Sequence, residues 1–184
     1  MIIGTNSMNE TTFERKWYVV RTKPRWEKKV AAQIFQKEIE IYLPVIEKIR
    51  VWSDRKKKIE DPMFSGYVFV FGNEEERYNA ISNTVGAMGY VFYNKRPAII
   101  RPEEIDYIKL SLKAPERVTI EEKQIKKGDF ITVTRGPFRG MKGYVNDFKG
   151  SYKLTVNLEE LSTAFSVTLM LDEVEVEEKN REEE

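Results

Sequence analysis

The residue pattern changes character once, near the middle of the chain, and this change constrains the fold more than any other feature. Up to about Leu112, strand-like and helix-like periods alternate. Beyond about Lys123 only short strand-like runs remain, divided by glycine-bearing turns. The 184 residues allow one ordinary domain or two small ones, and the shift in pattern favours two. Residues 113–123, charged and holding one proline, read as the linker. The expected organisation is a lead-in over 1–13, a first domain over 14–113, a linker over 114–124, a second domain over 125–176 and an acidic tail over 177–184.

In the first half, Trp17-Tyr18-Val19-Val20 reads as a buried strand. Thr22 followed by Pro24 reads as the cap of a helix running to about Glu38, with Trp26, Val30 and Ile34 on one stripe. Ile39 to Val45 alternates with period two, and Pro44 suggests an edge strand. A polar excursion over Arg50 to Pro62 carries Arg55-Lys56-Lys57-Lys58, and Met63 to Phe71 is strongly β-prone. Glu74 to Asn83 predicts a second helix with Tyr78 and Ile81 on its apolar side. Asn94-Lys95-Arg96-Pro97 predicts a hairpin connection. Pro102-Glu103-Glu104 opens a third helix with Ile105, Ile108 and Leu112 as its stripe. The order β-α-β-β-α-β-β-α packs as an α+β layer, an antiparallel sheet with helices on one face.

In the second half, Phe130–Thr134, Gly143–Phe148, Tyr152–Leu158, Phe165–Leu171 and Val174–Val176 read as five short strands. Closing them into a small barrel would remove their unpaired edges.

Composition narrows the chemistry. The chain has neither Cys nor His, which removes disulfides, thiolate metal sites, cysteine nucleophiles and the usual general base together. No recognisable nucleophile, cofactor motif or metal constellation stands in their place, so the expectation is a binding protein and not an enzyme. No apolar run approaches the roughly 18 residues of a membrane span, and a cytoplasmic location is expected. The net charge of +1 conceals an asymmetry. Glu14 to Lys58 holds 14 basic against 6 acidic residues, whereas Asp172 to Glu184 holds 8 acidic against 2 basic. A basic front fits an anionic partner such as nucleic acid, and equally a solvated charged face.

Two motifs then resemble one family. Gly128-Asp129, Val133, Gly136-Pro137-Phe138, Gly140, Gly143 and Val145 resemble the KOW motif, in which glycines permit tight turns and the proline fixes a corner. Trp17-Tyr18-Val19-Val20, Lys23-Pro24-Arg25, Glu27-Lys28-Lys29-Val30 and Phe64-Ser65-Gly66-Tyr67-Val68-Phe69-Val70 are similar to the NusG N-terminal domain. The resemblance spans about Lys16 to Val176. It implies a ferredoxin-like N-terminal (NGN) domain followed by an SH3-like KOW barrel. Trp52 to Lys58 and Arg96-Pro97-Ala98-Ile99-Ile100 look most like the UpxY branch, operon-specific antiterminators of polysaccharide loci.

The resemblance implies a transcription elongation and antitermination factor that needs no cofactor and binds RNA polymerase. The clamp helices of the largest subunit would be met by Phe64, Tyr67, Phe69, Tyr93 and Ile105, and the gate loop by Arg77 and Tyr78. The non-template DNA strand of the transcription bubble would lie along Lys23, Arg25, Trp26 and Lys29 with Arg55, Lys56, Lys57 and Lys58. Lysines and arginines neutralise phosphate, and an exposed tryptophan can stack on an unpaired base. Burial of Trp26 on its helix stripe fits equally well. The KOW domain would recruit a further partner, nascent RNA or a ribosomal protein, through the turn at Phe138 and Arg139 with the loop at Leu161, unless Phe138 plugs the barrel end. Ser65 and Leu161 depart from the family pattern, and Leu161 replaces a loop aromatic used towards Rho and a ribosomal protein. A ribosome-associated KOW-type RNA-binding protein is the alternative reading.

Overall fold

The computed structural model describes residues 14–51, 56–121, 124, 128–148, 151–170 and 173. The chain divides into two compact units, Met1–Ile105 and Asp106–Glu184, each built on its own antiparallel sheet. The first half runs in order through β1 (Lys16–Thr22), α1 (Glu27–Phe35), β2 (Glu40–Tyr42), β3 (Val45–Val51), β4 (Lys56–Pro62) and β5 (Tyr67–Gly72). It continues with α2 (Glu74–Ile81), β6 (Ala87–Tyr90), β7 (Phe92–Tyr93), β8 (Arg96–Pro97), β9 (Ile99–Ile100) and α3 (Pro102–Ser111), the last crossing the division between units.

The main sheet of the first unit has the order β2-β5-β1-β6, with β9 also paired to β1. β1 is central because Trp17-Tyr18-Val19-Val20 is buried on both faces. Its register places Trp17 opposite Phe71, Val19 opposite Phe69 and Arg21 opposite Tyr67. Val30, Ala31 and Ile34 of α1 and Ala80 of α2 pack with Tyr18, Val20, Val68, Val70 and Tyr90, so both helices cover one face. β3 and β4 pair as a separate hairpin, which gives the polar excursion its strand structure.

Several local expectations are corrected. Thr22 does not cap α1, because it is still the last residue of β1 and its N–H bonds to the Gly66 carbonyl at 2.8 Å. The chain turns at Pro24-Arg25, with Arg25 at φ +64°, and α1 starts behind Trp26 without a side-chain cap. The alternating run 39–45 is interrupted at Leu43-Pro44 and yields the short edge strand β2 before β3. Tyr78 is 69% exposed, and α2 buries Ala80 instead. What holds α2 is its ends. Asn73 and Glu76 form a reciprocal capping box, and the Lys37 ammonium donates to the carbonyls of Asn79, Ala80 and Ser82 and to the Thr84 hydroxyl.

The second unit contains β10 (Val118–Glu121), β11 (Asp129–Thr132), β12 (Lys142–Phe148), β13 (Ser151–Leu158) and β14 (Thr163–Leu169). Their order is β10-β14-β13-β12-β11. Much of the stretch expected to be a linker is therefore structured: Pro115–Arg117 forms a 3-10 turn, and Val118 to Glu121 pair with Val167 to Ala164. β-branched Val118, Thr119 and Ile120 suit a strand despite charged neighbours. The expected fifth strand, Val174–Val176, lies outside the described residues, as do the lead-in over 1–13 and the acidic tail. Among the described residues no ladder joins β10 to β11, so the pairing is that of a five-stranded sheet without the expected closure. No described helix is long and apolar enough to cross a membrane.

Candidate functional site

Strand alternation gives the first sheet two faces. Opposite the helices, Trp17 and Phe71 meet across strands with ring centroids 5.0 Å apart, and Tyr42 lies edge-on to Trp17 at 6.4 Å. Phe69 sits between Tyr42 at 6.2 Å and Phe64 at 6.0 Å. Burial pushes the Tyr42 hydroxyl up to about 12, so this ring stays neutral at any physiological pH. Phe64, Phe69 and Ile105 are buried, the last in α3. Tyr67 is half-buried where β5 emerges from the Ser65-Gly66 turn, and Tyr93 is exposed on β7. Of the five residues expected to form an apolar concavity, Tyr67 and Tyr93 reach the surface. Phe64 and Phe69 form a floor beneath it.

Arg77 and Tyr78 separate in the same way. Arg77 donates to Glu74 through Nε at 2.9 Å and a terminal nitrogen at 2.5 Å, and its guanidinium lies 5.5 Å over the Tyr18 ring and 5.4 Å over the Tyr90 ring. These bonds hold the Glu74 carboxyl below the ordinary range. The Tyr90 hydroxyl donates to the Arg77 carbonyl at 2.5 Å, and burial raises the pKa of both tyrosines. Arg77 is committed internally, whereas Tyr78 faces outward.

Among the cations, Lys23 and Lys29 lie 6.0 Å and 4.7 Å over the Trp26 ring. Trp26 is half-buried against the α1 core and presses on Gly86, where a Cβ would come within 2.4 Å of its ring. Both alternatives for Trp26 are thus partly realised: a packed ring carrying two exposed lysines. Lys28 pairs with Glu60 and Lys58 with Glu47, each at 3.2 Å, so those charges are already compensated. Lys56 and Lys57 lie on β4 opposite Val51 and Arg50. Arg55 lies outside the described residues.

In the second unit the motif glycines have steric reasons. A Cβ on Gly128 would meet the Val145 carbonyl at 1.9 Å, and one on Gly143 the Thr155 carbonyl at 2.3 Å. Gly136 lies against Glu173, and Gly140 has φ +90°. Asp129 and Pro137 are exposed. Phe138 is fully buried and Leu161 is 8% exposed, so neither side chain offers the contact surface expected of it; Arg139 does remain exposed. Arg117 caps the Phe138 ring and pairs with Glu173. Among the described residues no group of three or more acidic side chains is arranged to hold a metal.

Residues 15–109 match the family model described as transcription termination factor NusG. The chain belongs to the NusG family. Its relatives include the transcription termination/antitermination protein NusG of Staphylococcus carnosus, 26% identical over 91% of this chain and 99% of that one. The corresponding protein of Pasteurella multocida is 28% identical over 91% and 98%. A solved structure of Thermotoga maritima NusG is 26% identical, covers 88% of this chain and 97% of that one, and superposes with a TM-score of 0.50.

The NusG match runs from the entry to β1 through most of α3, and so contains both the aromatic face and the Trp26 lysines. One surface residue of this NusG-family chain escaped sequence reading. Arg21 is exposed directly across from Tyr67 on β5 and Gly89 on β6. Alternation within β1 assigns Arg21 a face, but only the strand register reveals which aromatic it adjoins.

Proposed function

We propose that this NusG-family chain is a transcription elongation and antitermination factor that binds RNA polymerase through the Tyr67 edge of its aromatic face. The observation that carries the reading is the layering at that edge. Tyr67 is half-exposed with a packed Phe64–Phe69 floor nearby and the cationic Arg21 opposite it across the strands. Interface hot spots favour such rigid, partly buried tyrosines, whose ring packs while the hydroxyl stays wet. The clamp helices of the largest polymerase subunit are the proposed occupant, with Tyr93 at the rim and Phe64, Phe69 and Ile105 supporting from within. Tyr78 is the proposed gate-loop contact, on a helix held in place by Arg77.

Lys23, Arg25 and Lys29 around Trp26, continued by Arg55 to Lys58, are proposed to follow the non-template strand. Residues 52–58 and 96–100 support an operon-specific, UpxY-like paralogue acting in the cytoplasm. The second unit is proposed as a KOW-type SH3-like module that recruits a further partner, RNA or a ribosomal protein. Purifying the tagged chain from its host and identifying the co-purifying subunits tests the reading. The polymerase core should be recovered after nuclease treatment, and its absence, with ribosomal subunits recovered in its place, would defeat the proposal.

A further inference from the structure

From Arg77 to Pro102, inclusive, the chain holds four basic residues and no acidic one, although 30 of its 184 residues are Asp or Glu. The same stretch exposes large apolar side chains: Val85 and Met88 at 61%, Phe92 at 64% and Tyr93 at 37%. Phe92 and Tyr93 form β7, which pairs with β8 through Asn94 and Lys95, both at positive φ as a tight hairpin requires. The register sets Phe92 beside Pro97 and Tyr93 beside Arg96, so the two aromatic rings belong to opposite faces of the blade. Lys95 stands at its apex.

We infer that the Phe92 face of this hairpin, with Lys95, is a contact site for single-stranded nucleic acid, separate from the Trp26 lysines. Three observations favour this occupant. An aromatic ring open to solvent with a cation at the adjoining turn is the combination that single strands use, with a base stacked on the ring and a phosphate on the cation. The Lys95 side chain has no hydrogen-bond or ion-pair partner among the described residues, unlike Lys28 and Lys58, so its charge is available, whereas Arg96 lies on the Tyr93 face. The stretch of sequence that carries the hairpin, Arg77 to Pro102, also contributes no carboxylate to repel a phosphate backbone. A protein surface could cover Phe92, but the acid-free run and the free Lys95 cation are better matched by a polyanion.

The Trp26 site and the hairpin lie at opposite ends of β6: Trp26 packs on Gly86, just before the strand, and Phe92 follows it by two residues. A strand rises ~3.3 Å per residue. Six residues therefore set the sites up to ~20 Å apart, a span of a few unstacked nucleotides. The inference rests on the reading that the first unit meets nucleic acid, but its site and its test are independent of polymerase docking.

The test measures binding of the full chain to a labelled oligothymidylate as a function of salt, without polymerase. Phe92→Ala should weaken binding about tenfold, the loss typical of one stacked base, and Phe92→Trp should restore it. Lys95→Glu should lower the slope of log K against log salt by ~0.7 or more. Wild-type affinity in Phe92→Ala, with all binding lost in Lys29→Glu, would overturn the inference and leave the Trp26 surface as the sole site. Equal loss in Phe92→Ala and Phe92→Trp would also overturn it, since a larger ring should stack at least as well. Polymerase capture by the same variants reads the docking proposal separately: Phe92→Ala should retain capture whatever its oligonucleotide affinity.

Discussion

The guanidinium of Arg117 lies 4.7 Å from the centroid of the Phe138 ring and closes a two-nitrogen ion pair on Glu173. It also donates to the Thr168 carbonyl at 2.7 Å. One side chain thereby ties the entry to β10, the end of β14 and the buried aromatic of the Gly136-Pro137-Phe138 turn together. Phe138→Ala should cost about 3–5 kcal/mol of stability, as for a fully buried ring. Arg117→Lys should also destabilise, because an ammonium cannot cover the ring and reach both carboxylate oxygens at once. Chemical denaturation of the full chain measures both. Near-wild-type stability in Phe138→Ala would refute the plug.

The same clasp has a pH signature. Burial of Glu173 opposes its ionisation, but the Arg117 hydrogen bonds, the Met170 N–H and the Arg117 charge outweigh burial and hold the carboxyl below its ordinary value. A depressed carboxylate adds stability that is complete above the unfolded-state pKa, about 4.3, and is lost as pH falls through the folded value. Glu173→Gln should therefore melt below wild type at neutral pH, and the gap should close below about pH 4. A gap that persists unchanged into acid would contradict the assignment.

Gly86 tests the Trp26 surface. It has φ +93°, and a Cβ there would collide with the indole. Gly86→Ala should destabilise the first unit by more than the ~1 kcal/mol of an ordinary glycine replacement and displace Trp26 from beneath Lys29. Oligothymidylate binding should fall with it, while Lys28→Glu, which alters a charge already paired with Glu60 and outside the proposed contacts, should have the smaller effect. Equal losses from Gly86→Ala and Lys28→Glu would show that this surface has no special role.

Much of this architecture was legible because burial on both faces leaves a continuous signature. Trp17 to Val20 and Tyr67 to Phe71 have no alternative to being inner strands, and Gly128 and Gly143 of the second unit sit where a Cβ would strike backbone. β10 was not legible. Its four residues are flanked by charge, and their strand character comes from pairing with β14, more than forty positions away. From sequence, Phe138 stays open between contact and plug, and Leu161 is expected at the surface, for a related reason: a turn motif reveals the backbone bend but not which way its apolar residue points. Likewise, the composition of Lys23, Trp26 and Lys29 fits a stacking ring and a buried one equally, and only the packing against Gly86 shows a half-buried ring that carries two cations.

The polymerase proposal stands on Tyr67, and the most direct measurement is the affinity of the Tyr67→Ala chain for the isolated clamp-helix fragment of the largest polymerase subunit. Removing a hot-spot tyrosine costs ~2 kcal/mol or more, so binding should weaken at least about thirtyfold while the thermal unfolding profile stays close to wild type. Tyr67→Phe should retain most of the affinity, because the ring carries the contact. Wild-type binding by a correctly folded Tyr67→Ala chain would contradict the account.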